Sequence, residues 1–223
     1  MQRMAAWREV ARRIAHEIKN PLTPIKLSAQ RLERKFGKDT EDKAFEESTR
    51  LIVRQVEQLQ HMVQEFSSFA KLPEIELEYN SLTPLLQEVL SLFQNSYTNI
   101  NWELMIKNDL PDLKFDRSAL KRVFINLMTN AAEVLKNVED PYVEIIAEYN
   151  PETSWVSLEV IDNGPGFTHE ENTRIFEPYF SNKKSNTGLG LTIVKSIVND
   201  HNGYVHVKSN TPSGSIFLIQ LPV

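Results

Sequence analysis

Cysteine is absent from the 223 residues of this sequence. Without thiols the chain can form neither a disulfide framework nor a thiolate metal site, which suits a reducing compartment. Long apolar runs are absent too, and none approaches the roughly 20 residues that span a membrane. No charged-then-apolar signal segment opens the sequence. We therefore expect a folded, cytoplasmic polypeptide that makes no direct membrane contact.

A surplus of positive charge is likewise missing. The sequence has 25 Lys and Arg residues against 30 Asp and Glu residues, a formal net charge of -5. Nucleic-acid binding is driven by counterion release from a basic face, and here the basic residues are scattered among acids, so we expect no nucleic-acid partner. The apolar residues, 41% of the chain, supply the core of one large domain or two small ones.

The N-terminal third has the pattern of two amphipathic helices joined as a hairpin. In the first arm, over about 7–36, apolar residues recur at helical spacing: Ile14, Ile18, Leu22, Ile25, Ala29, Leu32 and Phe36. Gly37 stops this helix, and Asp39 and Thr40 are candidate caps for the next one. The second arm alternates steps of four and three through Phe45, Thr49, Ile52, Val56, Leu59, Val63, Phe66 and Ala70.

Such a hairpin cannot bury both sides of its heptad seam by itself. Arms of about 30 residues extend about 45 Å and share little core. A four-helix bundle made by two chains buries the second side, so the pattern predicts a homodimer. The alternative is a hairpin packed within a single chain.

We place the domain boundary where the heptads stop, at Lys71-Leu72-Pro73. Beyond it the alternating stretch 74–79 predicts a strand. Helices are then predicted at about 82–93, 117–136 and 189–200, strands at 101–106, 142–149, 155–162, 204–209 and 215–221, and an irregular stretch over 163–187. Helices with mostly hairpin-joined strands indicate an α+β sandwich with helices over one sheet face.

The first helix carries a histidine on its polar side. Each residue turns a helix by about 100°, so His16 lies about 200° from Ile14 and Ile18 and faces water. Asn20 shares this face and is suited to position a water or a phosphoryl oxygen, while the adjacent Glu17 is suited to orient the ring or take its proton. A lone histidine is more often merely solvated. These neighbours favour the reactive alternative, because a neutral exposed imidazole is a competent nucleophile toward phosphorus.

Two prolines follow this histidine. Pro21 and Pro24 remove backbone donors and predict a bend that helps another domain to approach. Of the remaining histidines, His201 near a helix end fits an interaction with the helix dipole, and the others have no evident catalytic neighbours.

Several short motifs in the C-terminal two thirds suit a phosphate-bearing ligand. Asn126 and Asn130 lie four residues apart on one helix face, where their oxygens can hold a hydrated magnesium ion without adding negative charge. Asp162 ends an apolar strand and can accept from an exocyclic amine. Gly164 and Gly166 follow it and allow the backbone to come close to a ligand. Each motif alone is also common in ordinary turns and on ordinary helix surfaces.

A second glycine motif, TGLGLTIVKSIV at 187–198, leads directly into a helix whose free amides suit phosphate. The preceding stretch IFEPYFSNKKSN predicts a mobile lid with Lys183 or Lys184 as a phosphate partner. Neither the Walker spacing nor GxGxxG occurs at these glycines, which excludes a P-loop or a Rossmann site.

Taken in order, the segments HEIKNPLTPI, NLMTNAAEVL, DNGPGF, IFEPYF, TGLGLTIVKSIV and SGSIF resemble the catalytic core of bacterial sensor histidine kinases over nearly the whole chain. The helical context of the first segment is most similar to the NtrY-type nitrogen-regulation sensor kinases. The resemblance implies that residues 1–72 form the dimerisation and histidine-phosphotransfer domain, a two-helix hairpin in a dimeric four-helix bundle. It implies that residues 73–223 form a Bergerat-type (GHKL) α/β sandwich that binds ATP and Mg2+.

The resemblance also implies a role for each matching residue. His16 is the phosphorylated residue, Glu17 is its base or orienter, and Asn20 places water for phosphatase action on the partner protein. Asn130 is the magnesium ligand with Asn126 beside it, and Asp162 binds the adenine amino group. The remaining nucleotide and lid positions are Gly164, Gly166, Phe176, Phe180, Lys183, Thr187, Gly188, Leu189 and Gly190.

Two positions depart from the family pattern. Asn186 stands where relatives usually have a glycine, and near Gly214 one glycine of a common pair is missing. Asparagine still adopts the left-handed conformation, and neither change removes a reacting group.

The expected activity is ATP-dependent autophosphorylation of His16 and phosphotransfer to an aspartate on the receiver domain of a response regulator, with phosphatase action as a second activity. Three alternatives are a docking module with a degenerate nucleotide site, an ATP-driven clamp of the chaperone or topoisomerase type, and a serine or threonine kinase of the anti-sigma type. The histidine hairpin and the intact motifs favour the histidine kinase. Because such relatives carry sensory and membrane segments upstream, we expect a partial chain of a protein anchored in the bacterial inner membrane.

Overall fold

The computed structural model describes residues 18, 21–34, 43–70, 75–177, 180 and 188–223. These residues belong to two compact units. The second unit comprises Glu74–Phe180 and Gly190–Val223, and the helices before Pro73 belong to the first unit, as do Gly188 and Leu189. None of the described helices is both long and apolar enough to span a membrane.

The first unit contains two antiparallel helices, α1 over residues 21–34 and α2 over Lys43–Ala70. A buried cluster of Leu22, Val56 and Val63 joins them. The arms are also linked by ion pairs of 2.8 Å between Lys26 Nζ and Glu57 Oε1, and of 3.4 Å between Arg50 Nε and Glu33 Oε1. These ion pairs are partly exposed, so apolar packing rather than charge holds the arms together. The predicted helical hairpin is confirmed for the described residues.

The heptad residues that do not pack between α1 and α2 face solvent. Their side chains are 40% to 47% exposed although all of them are Ile or Leu. We call them the exposed seam, and they are Ile18, Ile25, Leu32, Ile52 and Leu59. Burying these side chains against other apolar side chains is favourable by roughly 25 cal/mol for each Å² of apolar surface removed from water. A single hairpin therefore leaves half of its apolar pattern unburied, as the sequence predicts.

Pro21 and Pro24 of the first arm both lie in the helical stretch 21–34, and Ile18 before them is also helical. The bend predicted before Pro21 falls outside the described residues and stays a prediction.

The second unit contains helices α3 (Leu82–Ser96), α4 (Arg117–Val134), α5 (His169–Arg174) and α6 (Gly190–Asp200). Its strands are β1 (Glu78–Asn80), β2 (Asn101–Ile106), β3 (Leu113–Phe115), β4 (Tyr142–Asn150), β5 (Trp155–Asp162), β6 (Tyr204–Ser209) and β7 (Ser215–Pro222). β1 and β3 pair with each other, and the other five strands form one sheet in the order β2-β4-β5-β7-β6.

The sheet has one buried face. β2 and β4 run parallel, and all other neighbours are antiparallel. Every second residue is buried along β5 and β7, and along β4 as far as Ala147, and the residues between them are mostly partly exposed. Helices α3, α4 and α6 pack their apolar sides against this buried face. The predicted α+β sandwich with helices over one sheet face is confirmed.

Three short elements differ from the sequence prediction. The strand predicted at 74–79 is wrong over 75–77, because regular pairing starts only at Glu78, opposite Phe115. Its partner β3 was not predicted. The stretch 163–187, predicted as irregular, contains α5, which begins at a capping box made by Thr168 and Glu171. A strand of three residues and a helix of six residues, which is less than two turns, are too short to show a periodic pattern.

Candidate functional site

Asp162 is held by hydrogen bonds at the end of β5. Strand pairing puts it directly opposite Ser215 at the start of β7. The Asp162 side chain is buried, with 3% exposure. Its Oδ1 accepts a 2.8 Å hydrogen bond from the Gly164 backbone N–H, and its Oδ2 accepts one from the Ser215 hydroxyl. Each carboxylate oxygen has two lone pairs, so one acceptor position on each remains for a ligand.

Glycines allow the backbone around Asp162 to pack very closely. At Gly214, where φ is +114°, a Cβ atom would lie 1.9 Å from the Asp162 carbonyl oxygen. At Gly166, where φ is +72°, it would lie 2.6 Å from the Gly214 carbonyl oxygen. A side chain at either position would therefore push apart the two turns that surround the carboxylate.

The asparagine pair lies on the face of α4 that meets both glycine motifs. A Cβ atom added to Gly190, the first residue of α6, would lie 3.3 Å from Asn126 Oδ1. A Cβ atom added to Gly164 would lie 2.9 Å from Val134 Cγ2. Asn130 is four residues from each of these contact points, on the same helix face. It therefore lies between the start of α6 and the turn that follows Asp162.

Only one of the two carboxamides is already engaged. Asn126 donates a 2.9 Å hydrogen bond from Nδ2 to the Arg122 carbonyl oxygen. Within the described residues the Asn130 side chain has no hydrogen-bond partner, so its oxygen is available to a cation. The same residues contain no group of three or more His, Asp or Glu side chains arranged to hold a metal ion. The donor set thus fits a hydrated magnesium ion shared with a phosphate ligand, rather than a metal bound by protein alone.

Aromatic side chains support the segment that leads to the predicted lid. The Phe176 ring lies edge-on to Phe217 of β7 with centroids 6.5 Å apart, and Phe167 packs on the same ring at 6.1 Å. The Phe176 carbonyl accepts a 3.3 Å hydrogen bond from the Thr192 hydroxyl of α6. The Arg174 guanidinium lies 5.0 Å from the centroid of the Phe180 ring. Phe176 and Phe180 therefore both contact residues of the second unit, and their role in a lid stays a prediction.

The structure brings together Asn126, Asn130, Asp162, Gly164, Gly166 and Gly190. Of the other predicted site residues, Gly188 has a left-handed φ of +69° and Leu189 is buried, and both group with the first unit. The rest lie outside the described residues, namely His16, Glu17, Asn20, Lys183 and Thr187.

Two residues of this site were missed by sequence reasoning. Ser215 donates to Asp162. Asn163 accepts a 2.8 Å hydrogen bond from the Tyr142 N–H and donates one of 2.9 Å to the Asp140 carbonyl oxygen, which ties the turn after β5 to the start of β4. The sequence signal for Asn163 was its place inside DNGPGF. For Ser215 the only signal was a hydroxyl at the start of a strand.

His201 lies directly after α6, near the helix end where the sequence placed it. Its Nδ1 lies 2.7 Å from the Ile197 carbonyl oxygen in the last turn of α6. The side chain is buried, and its Nε2 accepts a 3.0 Å hydrogen bond from the Asp116 N–H, a contact that the sequence did not indicate. The interaction with the helix dipole stays a prediction.

Two family models match the chain. Residues 6–75 match the His Kinase A (phospho-acceptor) domain. Residues 115–223 match the family described as Histidine kinase-, DNA gyrase B-, and HSP90-like ATPase. The second range contains the asparagine pair, Asp162 and the described glycines, so the fold and the site define an ATPase domain of this class.

Individual relatives agree with these matches. The chain is 38% identical over 219 residues to Nitrogen regulation protein NtrY of Azorhizobium caulinodans, over 96% of this chain and 28% of that protein. The crystal structure of histidine kinase ThkA in complex with response regulator protein TrrA has a TM-score of 0.67 at 27% identity, over 96% of this chain and 61% of that one. The catalytic domain of ThkA has a TM-score of 0.60 at 31% identity, over 66% of this chain and 95% of that one.

The chain belongs to the histidine kinase family, and the resemblance predicted from its motifs is confirmed. It spans 28% to 36% of the length of the NtrY and NtrY-like relatives that it matches.

Proposed function

We propose that this chain is the catalytic core of a sensor histidine kinase, which transfers the terminal phosphoryl group of ATP to His16. The observation that carries the proposal is the arrangement around Asp162. The site has a buried carboxylate, two close-packed turns and an Asn130 carboxamide that has no hydrogen-bond partner among the described residues. These groups suit one ligand with an amine-bearing base at one end and phosphates at the other. The match of residues 6–75 to a phospho-acceptor domain supports His16 as the recipient.

Residues 1–72 would act as the dimerisation and phosphotransfer domain and residues 73–223 as the ATP-binding domain. In the reaction the bond between the γ-phosphorus and its bridging oxygen breaks, a bond from the His16 imidazole nitrogen to phosphorus forms, and ADP leaves. Glu17 orients the ring or takes its proton. Asp162 holds the adenine amino group, and the amides of Gly188, Leu189 and Gly190, with Lys183 and Thr187, hold the phosphates. Catalysis comes mainly from positioning and charge neutralisation.

Asn130, with Asn126 beside it, would hold Mg2+ in this reaction. When bound, the ion neutralises phosphate charge and orients the terminal phosphoryl group. A carboxamide suits this role because it coordinates through a neutral oxygen and does not repel the nucleotide.

The exposed seam supports a homodimer. Its side chains lie on both arms at heptad spacing, Ile18, Ile25 and Leu32 on the first arm and Ile52 and Leu59 on the second. A second hairpin with the same pattern covers them in a four-helix bundle.

The partner proposed for the phosphorylated protein is the receiver domain of a response regulator, which would accept the phosphoryl group on an aspartate. The structural likeness to ThkA in complex with a response regulator protein supports this partner. Asn20 would align a water in the reverse, phosphatase reaction. The similarity to Nitrogen regulation protein NtrY supports a role in nitrogen regulation, within a parent protein anchored in the bacterial inner membrane.

Incubation with γ-labelled ATP tests the proposal. We expect the wild type and a His206→Gln variant, which changes an exposed histidine of β6, to acquire a label that is labile in acid and stable in base. His16→Gln should acquire none. Asp162→Asn should lose both the label and ATP binding measured by calorimetry. Labelling of His16→Gln at the wild-type rate would refute the assignment of the phosphorylated residue.

A further inference from the structure

His201 makes two hydrogen bonds, and together they determine which ring nitrogen donates and which accepts. The residue follows α6, and its Nδ1 lies 2.7 Å from the Ile197 carbonyl oxygen. Its Nε2 lies 3.0 Å from the Asp116 backbone nitrogen. A carbonyl can only accept and an N–H can only donate, so the proton is on Nδ1 and Nε2 is the acceptor. The ring therefore links the Ile197 carbonyl to the backbone N–H of Asp116, which lies 85 residues before His201 in the sequence.

The residue at the other end of this link is itself firmly held. Asp116 is the N-cap of α4, and its Oδ1 accepts from the backbone N–H groups of Ser118 at 2.9 Å and Ala119 at 3.0 Å. Its Oδ2 accepts a 3.3 Å hydrogen bond from the Glu76 N–H. His201 thus joins the last turn of α6 to the fixed first turn of α4.

The two helices also meet at a second point, near the nucleotide site. Gly190 begins α6 and lies beside Asn126 of α4. Along α6 the distance from Gly190 to His201 is about 16 Å at 1.5 Å per residue, and along α4 the distance from Asp116 to Asn126 is about 15 Å. The helices are antiparallel, and the two contacts are separated by nearly the same distance along each helix. Together the contacts therefore fix the axial register, which is the position of α6 along its axis relative to α4. A slide of α6 at its His201 end would move Gly190 relative to Asn126 by the same amount.

We infer that His201 is a positioning residue, whose hydrogen bond to the Asp116 N–H sets the register of α6 against α4. The first amides of α6 point out of the helix start and suit phosphate, while Asn126 and Asn130 suit the accompanying cation. Loss of the register would therefore weaken contacts to phosphates. The adenine contact would be unaffected, because Asp162 is held separately by Gly164 and Ser215. The catalytic consequence of this inference rests on the proposed function.

Calorimetry with ATP and with adenosine tests the inference on His201→Leu and His201→Gln. Leucine removes the acceptor for the Asp116 N–H, whereas the glutamine oxygen can replace it. We expect His201→Leu to bind ATP about tenfold more weakly, with adenosine affinity unchanged and with His201→Gln close to wild type. Equal weakening for ATP and adenosine, or unchanged ATP affinity in a folded His201→Leu protein, would overturn the inference.

Amide NMR spectra of the nucleotide-free proteins provide a second test that does not depend on ATP binding. In His201→Leu we expect shifts at the Gly190 amide and the Asn126 carboxamide, about 15 Å from the substitution. Changes confined to residues around Asp116 and His201 would refute the register. A wild type that binds no ATP would refute the proposed function instead, and the NMR result would still decide the register.

Discussion

The Asp162 carboxylate, which we propose binds the adenine amino group, is held in place by its own neighbours. The Gly164 N–H and the Ser215 hydroxyl each bind one of its oxygens, so its orientation is fixed before the proposed ligand arrives. A fixed acceptor loses little conformational freedom on binding. Ser215 should therefore contribute to nucleotide affinity without touching the nucleotide.

Ser215→Ala removes one of these two supports. We expect the affinities for ATP and ADP to fall equally, by about fivefold, because the loss of one hydrogen bond costs about 1 kcal/mol. Ser215→Thr is the matched control, since it keeps a hydroxyl, and it should bind as the wild type does. Calorimetry measures both. An alanine variant with unchanged affinity would show that the Gly164 N–H alone is sufficient.

The glycines of the site differ in how closely the backbone approaches. Gly214→Ala would place a Cβ atom 1.9 Å from the Asp162 carbonyl oxygen at a φ of +114°, and we expect it to lower the free energy of unfolding by about 3 kcal/mol or more. Gly190→Ala, with its nearest contact at 3.3 Å, should lower it by less than about 1 kcal/mol. Urea unfolding compares the two variants, and equal losses would contradict this explanation.

At the scale of single residues, the sequence pointed to those candidates whose role is indicated by the residues next to them in the chain. Asp162 was recognised because an apolar strand leads to it and glycines follow. Ser215 was missed because its partner is 53 residues away, and only strand register brings the two together. The hydrogen bond from Asp116 to His201 was missed for the same reason, since the two residues are 85 positions apart in the sequence.

Among the elements, α4 has the strongest start signal. Burial opposes ionisation of the Asp116 carboxyl group, but hydrogen bonds from the Ala119 N–H and from Ser118 prevail and lower its pKa. A pKa lowered by folding stabilises the protein above the unfolded-state pKa of about 3.9. This stabilisation is lost as the pH falls through the folded-state pKa.

Substitutions of Asp116 separate its hydrogen bonds from its charge. We expect Asp116→Ala to lose about 1 kcal/mol of unfolding free energy at pH 7, because α4 loses its cap. Asp116→Asn keeps an accepting oxygen but does not ionise. Its stability relative to the wild type should therefore improve as the pH falls below about 4. Urea unfolding over a pH series measures both effects, and a constant difference between wild type and Asp116→Asn would contradict the charge effect.

The elements that repeat their period several times were predictable from the sequence, and a strand of six residues already contains three repeats of its two-residue period. β2, β5 and β6 have the predicted bounds, and α4 begins at the predicted residue after the predicted cap. β3 has three residues and α5 has six. Their formation depends on a strand partner and on a capping box, which a hydrophobic pattern does not reveal.

For the whole molecule, the exposed seam is the feature that supports the proposed homodimer. Ile25→Glu should convert the proposed dimer to a monomer, because it places a charge in an apolar interface. Leu27→Glu is the matched control. Leu27 is as exposed as Ile25, 50% against 47%, but it lies about 200° away around α1, off the seam. Sedimentation analysis should find a dimer for this control, and dissociation of both variants alike would contradict the seam as the interface.

At this largest scale the order of motifs along the sequence predicted the two kinds of fold and the family. It did not predict which segments join across the sheet. The parallel pairing of β2 with β4 and the insertion of β7 between β5 and β6 follow from long-range packing, and local patterns contain no information on it.

The insertion of β7 has a consequence for biosynthesis. Because β7 pairs on both edges, with β5 and with β6, β6 cannot join the sheet until the ribosome has released residues 215–222. A polypeptide interrupted before this point would lack Ser215 and would leave the edges of two strands open. Incomplete chains should therefore be substrates for chaperones and proteases rather than partly active enzymes.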